Sequence, residues 1–381
     1  MPEFFASIPK GLADVMAEEL TSLGVHVLKK SSGGVTFESN WEGCYRVNLK
    51  SRFASKILKP VLEFPAYQPE DLYHNVRKHD FTKYMDLNGT LAVDAKIQES
   101  KIRDQRYVAL KIKDAIVDEF REKFDGLRPD VDSEDPTLCV YVRASRNQFT
   151  VALDTSGESL FKRGYKRIQT AAPLKENLAA ALVALSGWDK KTPIVDPMCG
   201  SGTILIEAAL MARRIAPGGL RKKFGFQGWK TFDSSAWEKV VAECADEEVT
   251  EGGSNEGPLF FGYDMDRKTL DIARQNARMA GVDDLIEFRR EPVASVKSPG
   301  RNAIVITNPP YGARLGDEDL LKDLYRDLAY MLKTEFRGSK AFILSGNRNL
   351  IQEVKLKSTR KHFLFNGAIE CRFLEYDIRA H

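Results

Sequence analysis

A short apolar run, Ala303-Ile304-Val305-Ile306, is followed at once by Thr307-Asn308-Pro309-Pro310-Tyr311-Gly312. The run is rich in β-branched residues and bounded by Arg301-Asn302 and the prolines, so it reads as a buried strand. Two prolines then stop that strand. Asn308 and Pro309 each precede a proline and are pushed out of the α region. What remains is a stiff, extended turn at the carboxyl end of a strand. Wholly apolar strands belong to parallel sheets covered on both faces. Open α/β sheets bind ligands outside the carboxyl ends of their strands. This stretch therefore commits the second half of the chain to such a sheet, with the turn on its ligand-binding edge.

The turn displays a side-chain amide, a proline carbonyl and an aromatic face, a set that suits a planar ring bearing an amine. The Asn308 oxygen and the Pro309 carbonyl can accept from an NH2 group, and Tyr311 can stack on the ring. Two upstream loops fit the same edge. Pro193 to Asp196 reads as a strand, followed by Pro197-Met198-Cys199-Gly200-Ser201-Gly202-Thr203 and a helix from Ile204 to Ile215. Gly200 and Gly202 let the backbone approach a ligand. Asp196 places an anion first, unlike G-x-G-x-x-G, so the loop favours an ammonium over a pyrophosphate. One strand later, Leu259 to Asp264, either Asp264 or Asp266 stands where an acidic residue would hold a ribose diol, with Met265 between them. Glu291 follows a third strand, Ile286 to Phe288. A helix over 319–333, a strand over 341–344 and a hairpin over 362–365 and 370–377, turning at Asn366-Gly367, complete the alternation.

The first 64 residues read as β-α-β-β-α-β, the ferredoxin-like pattern. Residues 65–156 read as a second small α/β unit. It contains a helix over 103–124 whose apolar stripe is Val108, Ile112, Ile116 and Phe120. Lys101, Arg103, Arg106, Lys111 and Lys113 cluster around that helix start and could grip RNA phosphates. The same residues also suit an ordinary solvated face. Residues 157–187 connect the halves through a pre-sheet helix opened by Pro173. Between 214 and 258 lies a long insertion. There Arg221, Lys222 and Lys223 are followed by Phe224, Phe226 and Trp229, a mixture that fits base stacking and phosphate contact, or equally a loop anchored to the core.

Net charge is only +3, so nucleic-acid binding would have to rest on local patches. The five cysteines are scattered without a C-x-x-C, which points to reduced thiols. The five histidines form no ligand spacing, so no metal is expected. No apolar run reaches membrane-spanning length and the start resembles no signal peptide, which points to the cytoplasm.

Three stretches now carry a resemblance. An Asn-Pro-Pro-Tyr turn after a strand resembles the catalytic motif of methyltransferases acting on exocyclic nitrogens of bases. The D-P-x-C-G-S-G-T loop resembles the S-adenosylmethionine loop of Rossmann-like methyltransferases. "KIRDQRYVALKIKDAIVDEF" (101–120) resembles a THUMP domain, a module of RNA-modifying enzymes. Through to "NGAIECRFLEYDI" (366–378), the chain is similar to bacterial THUMP-containing 23S rRNA guanine-N2 methyltransferases, in particular the N-terminal half of their bifunctional form. The resemblance implies a seven-stranded, mostly parallel class I methyltransferase sheet over 157–381, preceded by a ferredoxin-like unit (1–64) and a THUMP domain (65–156). It implies S-adenosylmethionine as cofactor and 23S rRNA or its precursor particle as partner, with the protein a monomer or weak dimer. It assigns the cofactor to Pro173, Asp196 to Thr203, Asp264 to Asp266, Glu291 and Asn308, and catalysis to Asn308, Pro309, Pro310 and Tyr311. Glu291 departs from the family, where an aspartate is more usual. From the residues alone, N6-adenine methylation of RNA or DNA stays open, as does a non-catalytic RNA-binding assembly factor.

Overall fold

The computed structural model describes residues 1–166, 174–249, 259–300, 302–311 and 318–379. Its first half is one continuous sheet. Strands β1 (Glu3–Ser7), β2 (His26–Ser31), β3 (Gly34–Glu38) and β4 (Lys56–Pro65) pair antiparallel in the order β2-β3-β1-β4, with helices α1 (Ala13–Ser22) and α2 (Trp41–Lys50) between them. Met16 and Leu20 bury one face of α1, and Gly24, at φ +79°, ends it in the left-handed region. The Asn40 side chain caps α2 by accepting from the Gly43 N–H at 2.8 Å. This is the ferredoxin-like order.

The sheet does not stop there. After α3 (Pro69–Val76), β5 (Thr90–Gln98), α4 (Gln105–Lys123) and the two-residue β6 (Asp130–Val131), strands β7 (Leu138–Ser145) and β8 (Gln148–Asp154) carry it onward. The eight strands run β2-β3-β1-β4-β8-β7-β5-β6, joined by the antiparallel β4–β8 pair. Asp104 caps α4, accepting from the N–H groups of Arg106 (2.9 Å) and Tyr107 (3.1 Å), while Val108, Ile112, Ile116 and Phe120 are buried along its inner face.

The second sheet follows α5 (Glu176–Leu185). It comprises β9 (Ile194–Asp196), α6 (Thr203–Ala212), α7 (Ser234–Asp246), β10 (Phe260–Asp264), α8 (Arg267–Met279), β11 (Ile286–Arg290), β12 (Ile304–Thr307), α9 (Glu318–Glu335), β13 (Lys340–Ser345), α10 (Arg348–Gln352), β14 (Arg360–Asn366) and β15 (Ile369–Asp377). Its order is β11-β10-β9-β12-β13-β15-β14. The strands from β11 to β13 are parallel, and β15 runs antiparallel to both neighbours. The direction of winding reverses between β9 and β12, which puts the ligand crevice there. Helix α6 is apolar nearly all round and buried from Thr203 to Leu210, as a helix sandwiched between layers must be.

A buried polar joint ties the halves together. Arg163 and Glu207 are both inaccessible and lie 3.5 Å apart. Arg163 donates to the carbonyls of Leu160 (2.7 Å) and Arg52, and the Tyr165 hydroxyl donates to Glu207 at 3.1 Å. The Arg52 guanidinium crosses to the Ile215 carbonyl at 2.8 Å. Helix α7, inside the insertion, adds a second joint. Arg46 of α2 bonds Glu243 at 2.8 Å, and Lys50 pairs with Glu247.

Candidate functional site

Four strand ends meet at one edge. Asp196 ends β9, Asp264 ends β10, Glu291 follows β11, and Asn308 follows β12. Asp196 is buried. Its Oδ1 accepts from the Thr307 hydroxyl at 2.8 Å and from the Met198 N–H at 3.2 Å. Burial nonetheless pushes its carboxyl up to about 7, and the nearby Asp264 charge adds to the rise. The Asp196 carboxylate is thus costly when alone and well suited to a cationic partner.

The loop between β9 and α6 is held from behind. The Cys199 N–H donates to the Tyr263 carbonyl at 2.8 Å, and Asn276 of α8 donates its amide to the Ser201 carbonyl at 3.1 Å. Asp264 Oδ2 accepts from the Gly200 N–H at 3.1 Å. Both glycines are left-handed, Gly200 at φ +54° and Gly202 at +79°. They differ in surroundings. A Cβ on Gly202 would meet the Phe288 ring at 3.0 Å, whereas one on Gly200 would meet nothing within 4 Å. Gly202 is needed for helix packing, and Gly200 faces open space where a ligand can come close to the backbone. Pro197 and Cys199 are buried, Met198 half-buried, and Ser201 and Thr203 buried with their hydroxyls 3.4 Å apart. Burial raises the Cys199 thiol well above its usual range, so it is a packing residue rather than a nucleophile.

At the facing turn, Pro309 is buried and Asn308, Pro310 and Tyr311 are half-buried. The Asn308 Oδ1 atom is buried and has no hydrogen-bond partner among the described residues. A buried acceptor with no donor among the described residues gains from one brought by a ligand. Tyr311 is fixed instead: its hydroxyl accepts from Asn366 Nδ2 at 2.8 Å and lies 3.6 Å from the Cys371 sulfur. Its ring passes close to Gly346, where a Cβ would lie 3.0 Å from the Tyr311 ring atoms.

The other expected site residues are placed as follows. Asp266 caps α8, with one oxygen on the Lys268 N–H at 3.0 Å and the other on the Thr269 hydroxyl at 2.8 Å, while Asp264 Oδ1 accepts from the Asp266 N–H at 2.9 Å, so both acids are bonded within the chain. Met265 is exposed and its carbonyl accepts from Arg290 at 2.9 Å. Glu291 is half-buried at the same edge. Pro173 lies outside the described residues. Arg221 is not free for phosphate, because its guanidinium donates to the carbonyls of Ser156, Glu158, Ser159 and Lys162. Phe224, Phe226 and Trp229 are buried around Tyr45 and Trp41 and cannot stack on bases. Lys223 pairs with Asp135, and Lys222 is exposed. The cluster at α4 also divides. Lys101, Arg103 and Arg106 are exposed at the helix start, Lys101 and Lys111 lie over the rings of Tyr67 and Tyr73, and Lys113 pairs with Asp114 at 2.9 Å. Lys101 and Arg103 line a cavity of about 550 Å3.

Two contributors had no sequence-based role, Thr307 and Asn276. Thr307 is a hydroxyl at the end of an otherwise apolar strand, which is a readable signal. Asn276 is a polar residue on the buried face of an amphipathic helix, which is another. Among the described residues, no group of three His, Cys, Asp or Glu could hold a metal ion, and no helix is long and apolar enough to cross a membrane.

Comparison with known proteins agrees with this geometry. Residues 163–375 match the family model of the RMKL-like methyltransferase domain, residues 3–58 the RlmL ferredoxin-like domain, and residues 66–154 the THUMP domain. The chain is 42% identical to a ribosomal RNA large subunit methyltransferase K/L from Syntrophotalea carbinolica, over 99% of this chain and 53% of that protein. It spans about half the length of the curated relatives it matches. Among solved structures, SMU.472 in complex with SAH is 31% identical with a TM-score of 0.89, covering 99% of this chain and 98% of that one. A predicted N6-adenine-specific DNA methylase from Listeria monocytogenes is 30% identical with a TM-score of 0.88, covering 99% of this chain and 96% of that one.

Proposed function

The chain belongs to the family of RMKL-like methyltransferase domains, and from that premise we propose that it methylates N2 of a guanine in 23S rRNA. The observation that carries the reading is the orphaned Asn308 acceptor beside the Asp196 loop. S-adenosylmethionine is the cofactor, and it supplies an activated methyl group on a sulfonium. The site fits it: Asp196 gives a carboxylate for its positive charge, Gly200 leaves backbone open for close approach, and Asp264 retains lone pairs for the ribose hydroxyls. Glu291 and Pro173 are further candidates for its contacts.

The chain's own work is positioning. Asn308 Oδ1 and the Pro309 carbonyl accept from the two hydrogens of the exocyclic amine, which orients its lone pair toward the methyl donor. Pro310 keeps that turn extended. Tyr311, locked by Asn366, offers a fixed ring edge and plane for the flipped base. In-line placement of two bound reactants supplies much of the rate, and the proton that the amine sheds on methylation passes to solvent, so no dedicated general base is required. Lys101, Arg103 and Arg106 hold RNA phosphates away from the site. The protein works in the cytoplasm, as a monomer or weak dimer.

The similarity to the predicted N6-adenine-specific DNA methylase from Listeria monocytogenes favours a second reading, N6-adenine methylation, because adenine N6 offers the same two donors. One experiment separates them: transfer from radiolabelled S-adenosylmethionine to 23S rRNA taken from a strain lacking this gene, followed by nucleoside analysis. Label in N2-methylguanosine is the expected result. Label in N6-methyladenosine overturns the guanine reading and keeps the rest.

A further inference from the structure

Beside the candidate active site lies a second cavity, of about 370 Å3, between the ferredoxin-like unit and the β14–β15 hairpin. Its walls include Lys10, Ser55, Lys175, Leu178, Phe365 and Gly367. The volume lies within the range of ordinary ligand pockets. Lys10 places its ammonium over the Phe365 ring, 5.4 Å from the centroid, and Lys175 sits 4.7 Å from the centroid of Phe161. Both lysines are exposed, and neither is ion-paired with a carboxylate among the described residues. They differ in this from Lys113 and Lys223.

A Cβ on Gly11 would lie 2.2 Å from the Phe363 carbonyl oxygen, so the ferredoxin-like unit is pressed against β14 with no slack. The cavity is also tied to the chemistry. Phe365 and Gly367 flank Asn366, the residue that holds the Tyr311 hydroxyl. One hairpin tip therefore forms a wall of the cavity and a brace of the Asn-Pro-Pro-Tyr turn.

We propose that this cavity is a nucleotide subsite, taking a residue that neighbours the target base in the RNA strand. Its phosphate sits between Lys10 and Lys175, and its base lies against Phe365. A base extruded for methylation leaves its neighbours unstacked, and unstacked bases are held by aromatic faces and cations. Two ammonium groups with no carboxylate partner among the described residues, an aromatic ring and the Ser55 hydroxyl are the groups such a nucleotide needs. The inference rests on the rRNA reading and deepens it: the ferredoxin-like unit supplies part of the substrate site through Lys10.

The test is equilibrium binding of protein-free 23S rRNA to the full chain across a salt series, with Lys10→Gln/Lys175→Gln and Phe365→Leu as variants. The double lysine variant should lower the steepness of log K against log salt by about 0.7, the value for one single-strand phosphate contact. Phe365→Leu should weaken binding roughly five-fold or more with the slope unchanged. Lys10→Arg/Lys175→Arg should restore the slope. S-adenosylmethionine affinity, read by calorimetry, should stay the same in all of them. Unchanged slope and affinity in both loss variants, with the parent chain binding normally, overturns the subsite. So does a matching fall in cofactor affinity, which would assign the cavity to the cofactor. Loss of binding to a precursor particle with protein-free rRNA binding intact overturns it too, in favour of a protein partner. A parent chain that neither binds nor methylates rRNA sinks the rRNA reading itself.

Discussion

The two halves of the candidate site meet at neighbouring strand ends yet are built differently. The Asp196 loop is satisfied from within. Asp196, Asp264 and the Ser201 carbonyl all accept hydrogen bonds from the chain itself, through Thr307, Met198, Gly200 and Asn276. The Asn308 turn keeps its side-chain acceptor without a partner among the described residues. A satisfied loop holds its shape before any ligand arrives, whereas an unsatisfied acceptor gains most when a donor comes to it. On that difference rests the proposal that one loop serves binding and the other serves rate.

Replacing Asn308 is the hardest blow to that division. Asn308→Ala removes the orphaned oxygen and should lower kcat about a hundred- to a thousand-fold, the usual cost of a lost polar group at a reacting centre. Cofactor affinity should change only a few-fold. Equal losses in turnover and in calorimetric affinity would show that the turn and the loop are not separate devices.

Asp196→Asn attacks the other side. It should weaken S-adenosylmethionine binding by roughly ten- to a hundred-fold, as for a charged hydrogen-bonding partner. The pH dependence sharpens the claim. With its carboxyl near 7 in the empty protein, Asp196 is mostly protonated at pH 6. A cationic ligand favours the carboxylate, so binding at pH 6 should release a proton and binding at pH 8 should not. Affinity should rise as pH goes up through about 7 and then level off. Calorimetry in two buffers of different ionisation heat reads the proton directly. Absence of proton release at pH 6 would remove Asp196 from the cation's surroundings.

Much of this was legible before the structure, and for a local reason. Prolines at 309 and 310, glycines at 200 and 202 and the acids at 196 and 264 act through their own backbone or at a strand end, so neighbours in sequence announce them. What was hidden depends on partners far along the chain. Arg221 reads as a phosphate ligand until the carbonyls of residues 156–162 fold against it. The aromatics at 224, 226 and 229 fit a stacking loop or a core anchor equally until α2 arrives beneath them. Helix α7 could have been found, since Asp233 caps it and Trp237, Val240 and Cys244 repeat at helical spacing. The single sheet that fuses the first two units through β4 and β8 leaves no sequence mark at all.

Thr307 sits on the boundary of the two halves, on the strand of one and bonded to the acid of the other. Thr307→Val removes the bond that most favours the Asp196 carboxylate. The midpoint of proton release should therefore move above 7, and affinity at neutral pH should fall by about three- to ten-fold. Affinity at pH 9 should recover most of the loss. A uniform loss at every pH would mean that the hydroxyl orders the loop and does not tune the acid.

The smallest effect should come from the brace behind the turn. Asn366→Ala removes the donor that fixes the Tyr311 hydroxyl but leaves the ring, the prolines and Asn308 in place. A neutral hydrogen bond contributes about 0.5–1.5 kcal/mol net, so kcat should drop only about two- to ten-fold, with cofactor affinity untouched. Burial and the Cys371 contact both hold the Tyr311 phenol above its usual range, and the Asn366 bond opposes them. The phenol therefore stays protonated throughout the working pH range, and neither the wild type nor the variant should show a rate change from its ionisation. If Asn366→Ala instead matched Asn308→Ala in kcat, Tyr311 would be acting through its hydroxyl. The turn would then be a preorganised device like the loop, and the contrast between them would fail.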